Sequence, residues 1–157
     1  CARLVRPGGD VYFATINRLL RPRGLYLHHS IVRRAKADKA FRKKSPEYAA
    51  LTRYIFPGGA LPSVSKMLEI VSRDTDMTLH HMEDFGPHYA RTLRHWHDNL
   101  RNARHKLEAL GYDQYFYRLW EFYLCYCEGG FRERIISTVQ LAFAKPGYRF
   151  PGAVAGS

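Results

Sequence analysis

His29, Ser30 and Ile31 follow the apolar run Leu25-Tyr26-Leu27 and hold the best-placed chemistry in this chain. The run reads as a strand over 25–32, with His29 at its C-terminal end, the edge at which open α/β sheets bind ligands. An imidazole from His29 and a backbone N–H from Ile31 together suit a small anion. Plain strand packing accounts for the same two residues, and spacing alone does not choose. Tyr89 comes just after Gly86-Pro87, at the start of a predicted helix, where unpaired N–H groups also favour anions. Its phenol is read either as a hydrogen-bond donor or as a packed core ring. Tyr54, Phe56, Phe85, Tyr115, Phe116, Trp120 and Tyr123 suit a core or the wall of an apolar channel for an acyl chain. Ring faces of that kind also stabilise a cation.

Other reactive side chains exclude more than they offer. The pairs His28-His29 and His80-His81 lie on predicted strands, so each pair points to opposite faces. His95 and His97 diverge on a helix. None of the eight histidines has zinc spacing, and no metal site is expected. Cys125 and Cys127 stand two apart on a predicted helix and do not face each other, so free thiols are expected. The chain has no nucleophile elbow, no phosphate loop and no Gly-x-Gly-x-x-Gly after a strand. Pro7-Gly8-Gly9 precedes a helix, but no strand introduces it.

The elements that must position these groups alternate. Helices are predicted over 10–20, 45–54, 63–73, 87–110 and 112–128, and strands over 25–32, 77–85 and 135–143. Asp10, Ser45 and Ser63 are candidate caps. The helix over 112–128 is aromatic nearly all round, which predicts deep burial, and Gly129-Gly130 should break it. Arg53 to Ser63 carries Pro57, Gly58, Gly59 and Pro62 and reads as an ordered aromatic turn. Helix, Pro-x-Gly turn and strand in succession mark an αβ unit of a parallel sheet.

The 157 residues make about one domain. Hydrophobic content of 46% excludes a disordered chain, and no apolar run approaches the roughly 20 residues of a membrane span. Net charge is +11, concentrated between Arg18 and Lys44, where ten Lys and Arg face the single acid Asp38. Such a patch attracts phosphate of lipid headgroups or nucleic acid, or is a solvated face. No nucleic-acid reading motif accompanies it.

Four phrases occur in fixed order: Arg53-Tyr54-Ile55-Phe56-Pro57-Gly58-Gly59, Phe85-Gly86-Pro87-His88-Tyr89-Ala90-Arg91-Thr92-Leu93, Phe116-Tyr117-Arg118-Leu119-Trp120, and Tyr123 to Arg132. With Leu27-His28-His29-Ser30-Ile31 before them, they resemble the C-terminal half of cyclopropane-fatty-acyl-phospholipid synthases and mycolic acid cyclopropane synthases. The resemblance runs from about Val11 to Phe143. It implies an α/β fold, the C-terminal part of a doubly wound class I methyltransferase sheet with a helical lid, its N-terminal cofactor-binding half missing. It implies a single domain portion, with 1–9 non-matching and 144–157 a loose tail.

The activity so implied is methyl transfer from S-adenosylmethionine to a cis double bond of a phospholipid acyl chain. The product is a cyclopropane ring, and bicarbonate is the base. His29, Ile31 and Tyr89 match the family's bicarbonate-binding residues, and the seven aromatics become the acyl wall. The family's glycine-rich cofactor loop and its Glu-His-x-Gly phrase have no counterpart here. The expectation is therefore a truncated or frame-disrupted gene product, with part of a split enzyme as the alternative, and little or no methyltransferase activity in this chain alone. Expected partners are acyl chains at an anionic membrane surface, without nucleic acid and with self-association compatible. The expected location is cytoplasmic, peripheral to the inner membrane face. A different class remains open at this point: a non-catalytic lipid- or nucleic-acid-binding module using the basic patch and aromatic groove.

Overall fold

Apolar residues at three- and four-residue steps form the first helix, α1 (Gly9–Leu19), in the computed structural model, which describes residues 9–35, 49–57 and 59–149. Asp10 lies inside α1 rather than capping it. After the turn at Pro22 come strand β1 (Leu25–Arg33), a single π-helical turn (Leu51–Ile55) and helix α2 (Val64–Asp74). Ser63 caps α2 as expected, its hydroxyl accepting from the Lys66 N–H at 3.3 Å. Strand β2 (Thr78–Asp84) follows, then helices α3 (Gly86–Asn102), α4 (Arg104–Ala109) and α5 (Gln114–Arg132), and strand β3 (Ile136–Ala144). The start of the predicted helix over 45–54 and half of the basic run fall on 36–48, outside the described residues, while 49–54 are helical and lead through the π-turn.

The elements gather into two compact units. The first holds α1, β1, α2, β2 and β3 from Val139 onward. Its sheet runs in the order β1-β3-β2, with β2 and β3 antiparallel. Period-2 alternation sends Val139, Leu141 and Phe143 into a core with Phe13 of α1, Val32 of β1 and Met67, Ile70 and Val71 of α2. Phe13 and Phe143 meet edge to face with centroids 6.0 Å apart, and Tyr26 stacks on Phe143 at 6.3 Å. β1 is not buried throughout, as its apolar run suggested: Tyr26, His28, Ser30 and Val32 face the core, whereas Leu25 and Leu27 are 42% and 55% exposed. β2 is exposed along its length, and the polar His80 and His81 with the acids Glu83 and Asp84 suit an edge strand. Between Leu79 and His81 its register slips, so the expected strict alternation of His80 and His81 is broken there.

The second unit is a helical hairpin with the π-turn beside it. Pairs between Tyr89 and Phe131, Arg94 and Glu128, and His97 and Glu121 show that α3 and α5 run antiparallel. The one long helix expected over 87–110 is interrupted at Ala103, so α4 is a separate short turn. Gly111, with φ of +87°, ends it in the left-handed conformation that glycine tolerates. Two expectations about α5 fail. It continues through Gly129-Gly130 to Arg132, and the missing side chain at Gly130 makes room for Ile136, whose Cδ1 lies 3.2 Å from where a Cβ would stand. Nor is α5 deeply buried all round: Leu124, Glu128 and Phe131 are buried, but Tyr115 is 62% exposed. Amphipathic placement of the rings, rather than their number, sets the burial. No described helix is long and apolar enough to cross a membrane.

His28 is the buried titratable group of the first core. Its Nδ1 is 2.8 Å from the Tyr26 hydroxyl, which in turn is 2.8 Å from the Tyr12 hydroxyl. Its Nε2 is buried without a partner among the described residues. Burial lowers its pKa from the ordinary 6.5. The unfolded chain then takes up a proton that the folded chain refuses. The stabilising effect is complete above about pH 6.5 and is lost as pH falls through the lowered value. Urea midpoints measured between pH 7.5 and 5 should fall for the wild type, and less steeply for His28→Gln. Equal slopes would show that another group carries the dependence.

Candidate active site

Once Tyr26, His28, Ser30 and Val32 turn inward, alternation places Leu25, Leu27, His29 and Ile31 on the other face of β1. That face is open. β1 extends to Arg33, so His29 stands in mid-strand rather than at the C-terminal end. Its Nδ1 is 3.4 Å from the Gln140 amide nitrogen on β3, and Gln140 is paired in register with Glu83 on β2. A polar row, His29–Gln140–Glu83, thus crosses the sheet. If Gln140 donates to Nδ1, the imidazole is held as the neutral Nε2–H tautomer. Sequence reasoning missed Gln140. Its signal was available: one amide in the apolar run Val139–Ala144.

In the second unit, Tyr89 sits in the first turn of α3, with its own N–H bonded to the Phe85 carbonyl at 3.1 Å. Its ring is fixed against Phe131 at 4.9 Å and Trp96 at 6.2 Å. Its hydroxyl makes no hydrogen bond among the described residues. Phe85 is half-buried just before α3, its N–H donating to the Thr138 carbonyl at 2.7 Å.

The structure brings four of the seven candidate aromatics into one row. Phe56 meets Tyr123 at 5.6 Å, Tyr123 meets Trp120 at 5.6 Å, and Trp120 meets Phe116 at 6.0 Å. Tyr112, not anticipated, extends the row by stacking on Phe116 at 4.4 Å. Tyr54 lies apart, half exposed under the Arg53 guanidinium at 5.3 Å. Tyr115 stands on the outer side of α5. The row is poor in charge, and burial, followed by the nearby Cys127 and Tyr89, pushes the Tyr123 phenol up to about 12.

A buried carboxylate locks the hairpin behind this row. Glu128 accepts from Arg132 at 2.7 Å and lies 3.3 Å from the Arg94 guanidinium. Nearby, His97 Nε2 is 3.4 Å from Glu121 and 3.9 Å from the Cys125 sulfur. Neither group was anticipated from the sequence; the i, i+4 spacing of Glu128 and Arg132 was the legible part. No His, Cys, Asp and Glu cluster among the described residues could hold a metal ion.

Three strands in the order β1-β3-β2, the last two antiparallel, and the helices joined to them make part of a class I methyltransferase fold. The family model described as mycolic acid cyclopropane synthetase matches residues 8–141, and the chain belongs to that family. A tuberculostearic acid methyltransferase of Mycobacterium tuberculosis is 35% identical over 136 residues, which are 87% of this chain and 31% of that protein. The cyclopropane-fatty-acyl-phospholipid synthase of Escherichia coli K12 is 32% identical over 136 residues, 87% of this chain and 33% of that one. Among solved structures, a mycolic acid cyclopropane synthase complexed with SAH and CTAB superposes with a TM-score of 0.76 at 28% identity, over 87% of this chain and 49% of that chain. The chain therefore spans about a third of the curated relatives and half of the solved one.

The described residues do not by themselves fit the S-adenosylmethionine of this family. β2 passes to α3 through Phe85 alone, and β1 continues into Arg34-Ala35 without a glycine-rich turn. Among the described residues neither cysteine is an activated thiol. Burial pushes Cys127 up to about 11 and also raises Cys125, with Glu121 and Glu128 adding to the latter. At neutral pH Cys127 is therefore overwhelmingly the neutral thiol. Alkylation followed by mass spectrometry should label Cys125 before Cys127, with the Cys127 rate climbing until about pH 11. Rapid labelling of Cys127 at pH 7 would contradict the burial described here.

Proposed function

We propose that this chain is the C-terminal part of an S-adenosylmethionine-dependent methyltransferase acting on an unsaturated acyl chain of a phospholipid, with a cyclopropane lipid as product. The observation that carries the reading is the open face of β1, where His29 and Ile31 stand two residues apart with His29 held by Gln140. Family membership and the names of the relatives support it. Those relatives carry enzyme names, so a non-catalytic lipid- or nucleic-acid-binding role is not favoured.

In this reading His29, the Ile31 amide and Tyr89 are each assigned the family's bicarbonate-binding role. Tyr89 fits such a role because its ring is fixed while its hydroxyl has no hydrogen-bond partner among the described residues. Bound there, bicarbonate supplies a general base for proton removal next to the reacting carbons. His29 is the side-chain donor to the anion in this reading, and Gln140 orients its ring. Phe56, Phe116, Trp120 and Tyr123 wall the acyl chain and exclude water, and their ring faces favour developing positive charge. Tyr115 is left out of that wall because it faces solvent. The partner is then a lipid surface, and the expected location is peripheral to the membrane.

The test is label transfer from S-adenosylmethionine to vesicles of cis-monounsaturated phospholipid, by the longest native polypeptide that contains this chain. The 157-residue chain alone should transfer little or none. His29→Ala and Tyr89→Phe should each lower turnover by roughly 10²–10⁴-fold. Added bicarbonate should raise the wild-type rate but not that of His29→Ala. Gln140→Leu should give a smaller loss and shift the pH profile. Full activity in both His29→Ala and Tyr89→Phe would remove the bicarbonate assignment.

A further inference from the structure

The end of the hairpin remote from Tyr89 has an unusual surface. From Phe131 back to Tyr115 is about 24 Å along α5 at the helical rise per residue. There Leu110 is 74% exposed, Tyr112 46% and Tyr115 62%. Ala109, Gly111 and Gln114 complete an uncharged exposed rim. Around it stand Arg101, Lys106 and Arg118, all exposed and without an ion pair among the described residues. Asp98 lines the same cleft as Arg101, and the two acids of the tip itself are engaged. Glu108 binds Arg104 at 3.0 Å, and Asp113 caps α5 by accepting from the Phe116 N–H at 2.8 Å. Arg104 lies 5.0 Å over the Tyr117 ring, which keeps its charge beside the apolar rim.

We propose that this tip, Leu110 to Tyr115 with Arg101, Lys106 and Arg118 around it, inserts into the interface of an anionic lipid bilayer. The choice of occupant rests on the lipid-modifying reading above. The physical argument is independent of it. An exposed leucine is favoured in the acyl boundary, and tyrosines suit the headgroup level because one end is apolar and the other wet. Free cations beside them meet lipid phosphates. The tip is one short turn with three large apolar side chains, far short of the roughly 800 Å² that a stable protein partner would cover on this side. A bilayer needs no such matched area. Single-stranded nucleic acid would stack on open ring faces, but one face of Tyr112 is already taken by Phe116. The tip also explains why Tyr115 faces away from the aromatic row: it belongs to a different surface.

The full 157-residue chain can be tested by co-sedimentation with phosphatidylglycerol–phosphatidylcholine vesicles and with phosphatidylcholine vesicles alone. Binding should be stronger on the anionic vesicles and weaken with salt. Leu110→Ser with Tyr115→Ser should weaken it about tenfold or more at every salt concentration. Arg101→Gln, Lys106→Gln and Arg118→Gln together should erase the anionic preference. All of these residues are exposed, and circular dichroism checks that the fold is kept. Vesicle binding unchanged in the Leu110/Tyr115 variant would overturn the proposal. So would loss of self-association, or of binding to single-stranded DNA, in that variant while vesicle binding persists. Vesicle binding requires no turnover. Its failure therefore leaves the enzymatic reading standing, and failure of the His29 and Tyr89 variants to affect turnover leaves the tip standing.

Discussion

Strand β1 has two faces with opposite obligations, and both units of chemistry in the first half of the chain depend on that division. One face must meet Phe13, Met67 and Phe143, because those rings and chains have no other apolar surface to cover. Burying Val32 and Tyr26 there commits His28 and Ser30 to the same side. His29 and Ile31 then have no choice but the open face. A slip of one residue would bury His29 and expose His28, so the core fixes which histidine is available for chemistry. The cost is visible at His28, a buried imidazole with one satisfied nitrogen and one orphan.

Leu25 and Leu27 pay the same geometric obligation on the open side. Their exposure follows from sharing a face with His29 and Ile31, and it gives β1 an apolar surface beside a polar row. β2, at the other edge of the sheet, ends in the exposed acids Glu83 and Asp84, which resist edge-to-edge pairing. The two edges are therefore chemically unlike.

Much of this was legible from periodicity and caps. Ser63 and the apolar steps of 64–73 specify α2 through local hydrogen bonds and one helical face, both short-range properties. The phrases around Tyr89 and Trp120 identified the family for the same reason: they are contiguous. What was not legible depended on long-range contacts. Gly129-Gly130 reads as a breaker, yet the helix passes through because Ile136 packs where Gly130 has no side chain. Ala103 carries no stop signal, yet the helix is interrupted there. Gln140 looked like an isolated amide in a strand, and only the register of three strands sets it between His29 and Glu83.

The hairpin shows how one helix can serve two surfaces. Glu128 is buried and charged, a costly arrangement unless its oxygens are matched. Arg132 meets it from the same helix and Arg94 from the facing one, so the carboxylate is paired and the two helices are also held in one register. That register turns Trp120 and Tyr123 toward Phe56. Tyr115, at a different angle on the same helix, is left facing outward. Rotating α5 by one residue would move it through about 100°. The aromatic row would then lose Phe56, and Tyr115 would be drawn from the tip. Placing a charge where apolar packing alone would let the helix turn removes that freedom. The aromatic row and the exposed tip are thus set by the same buried carboxylate.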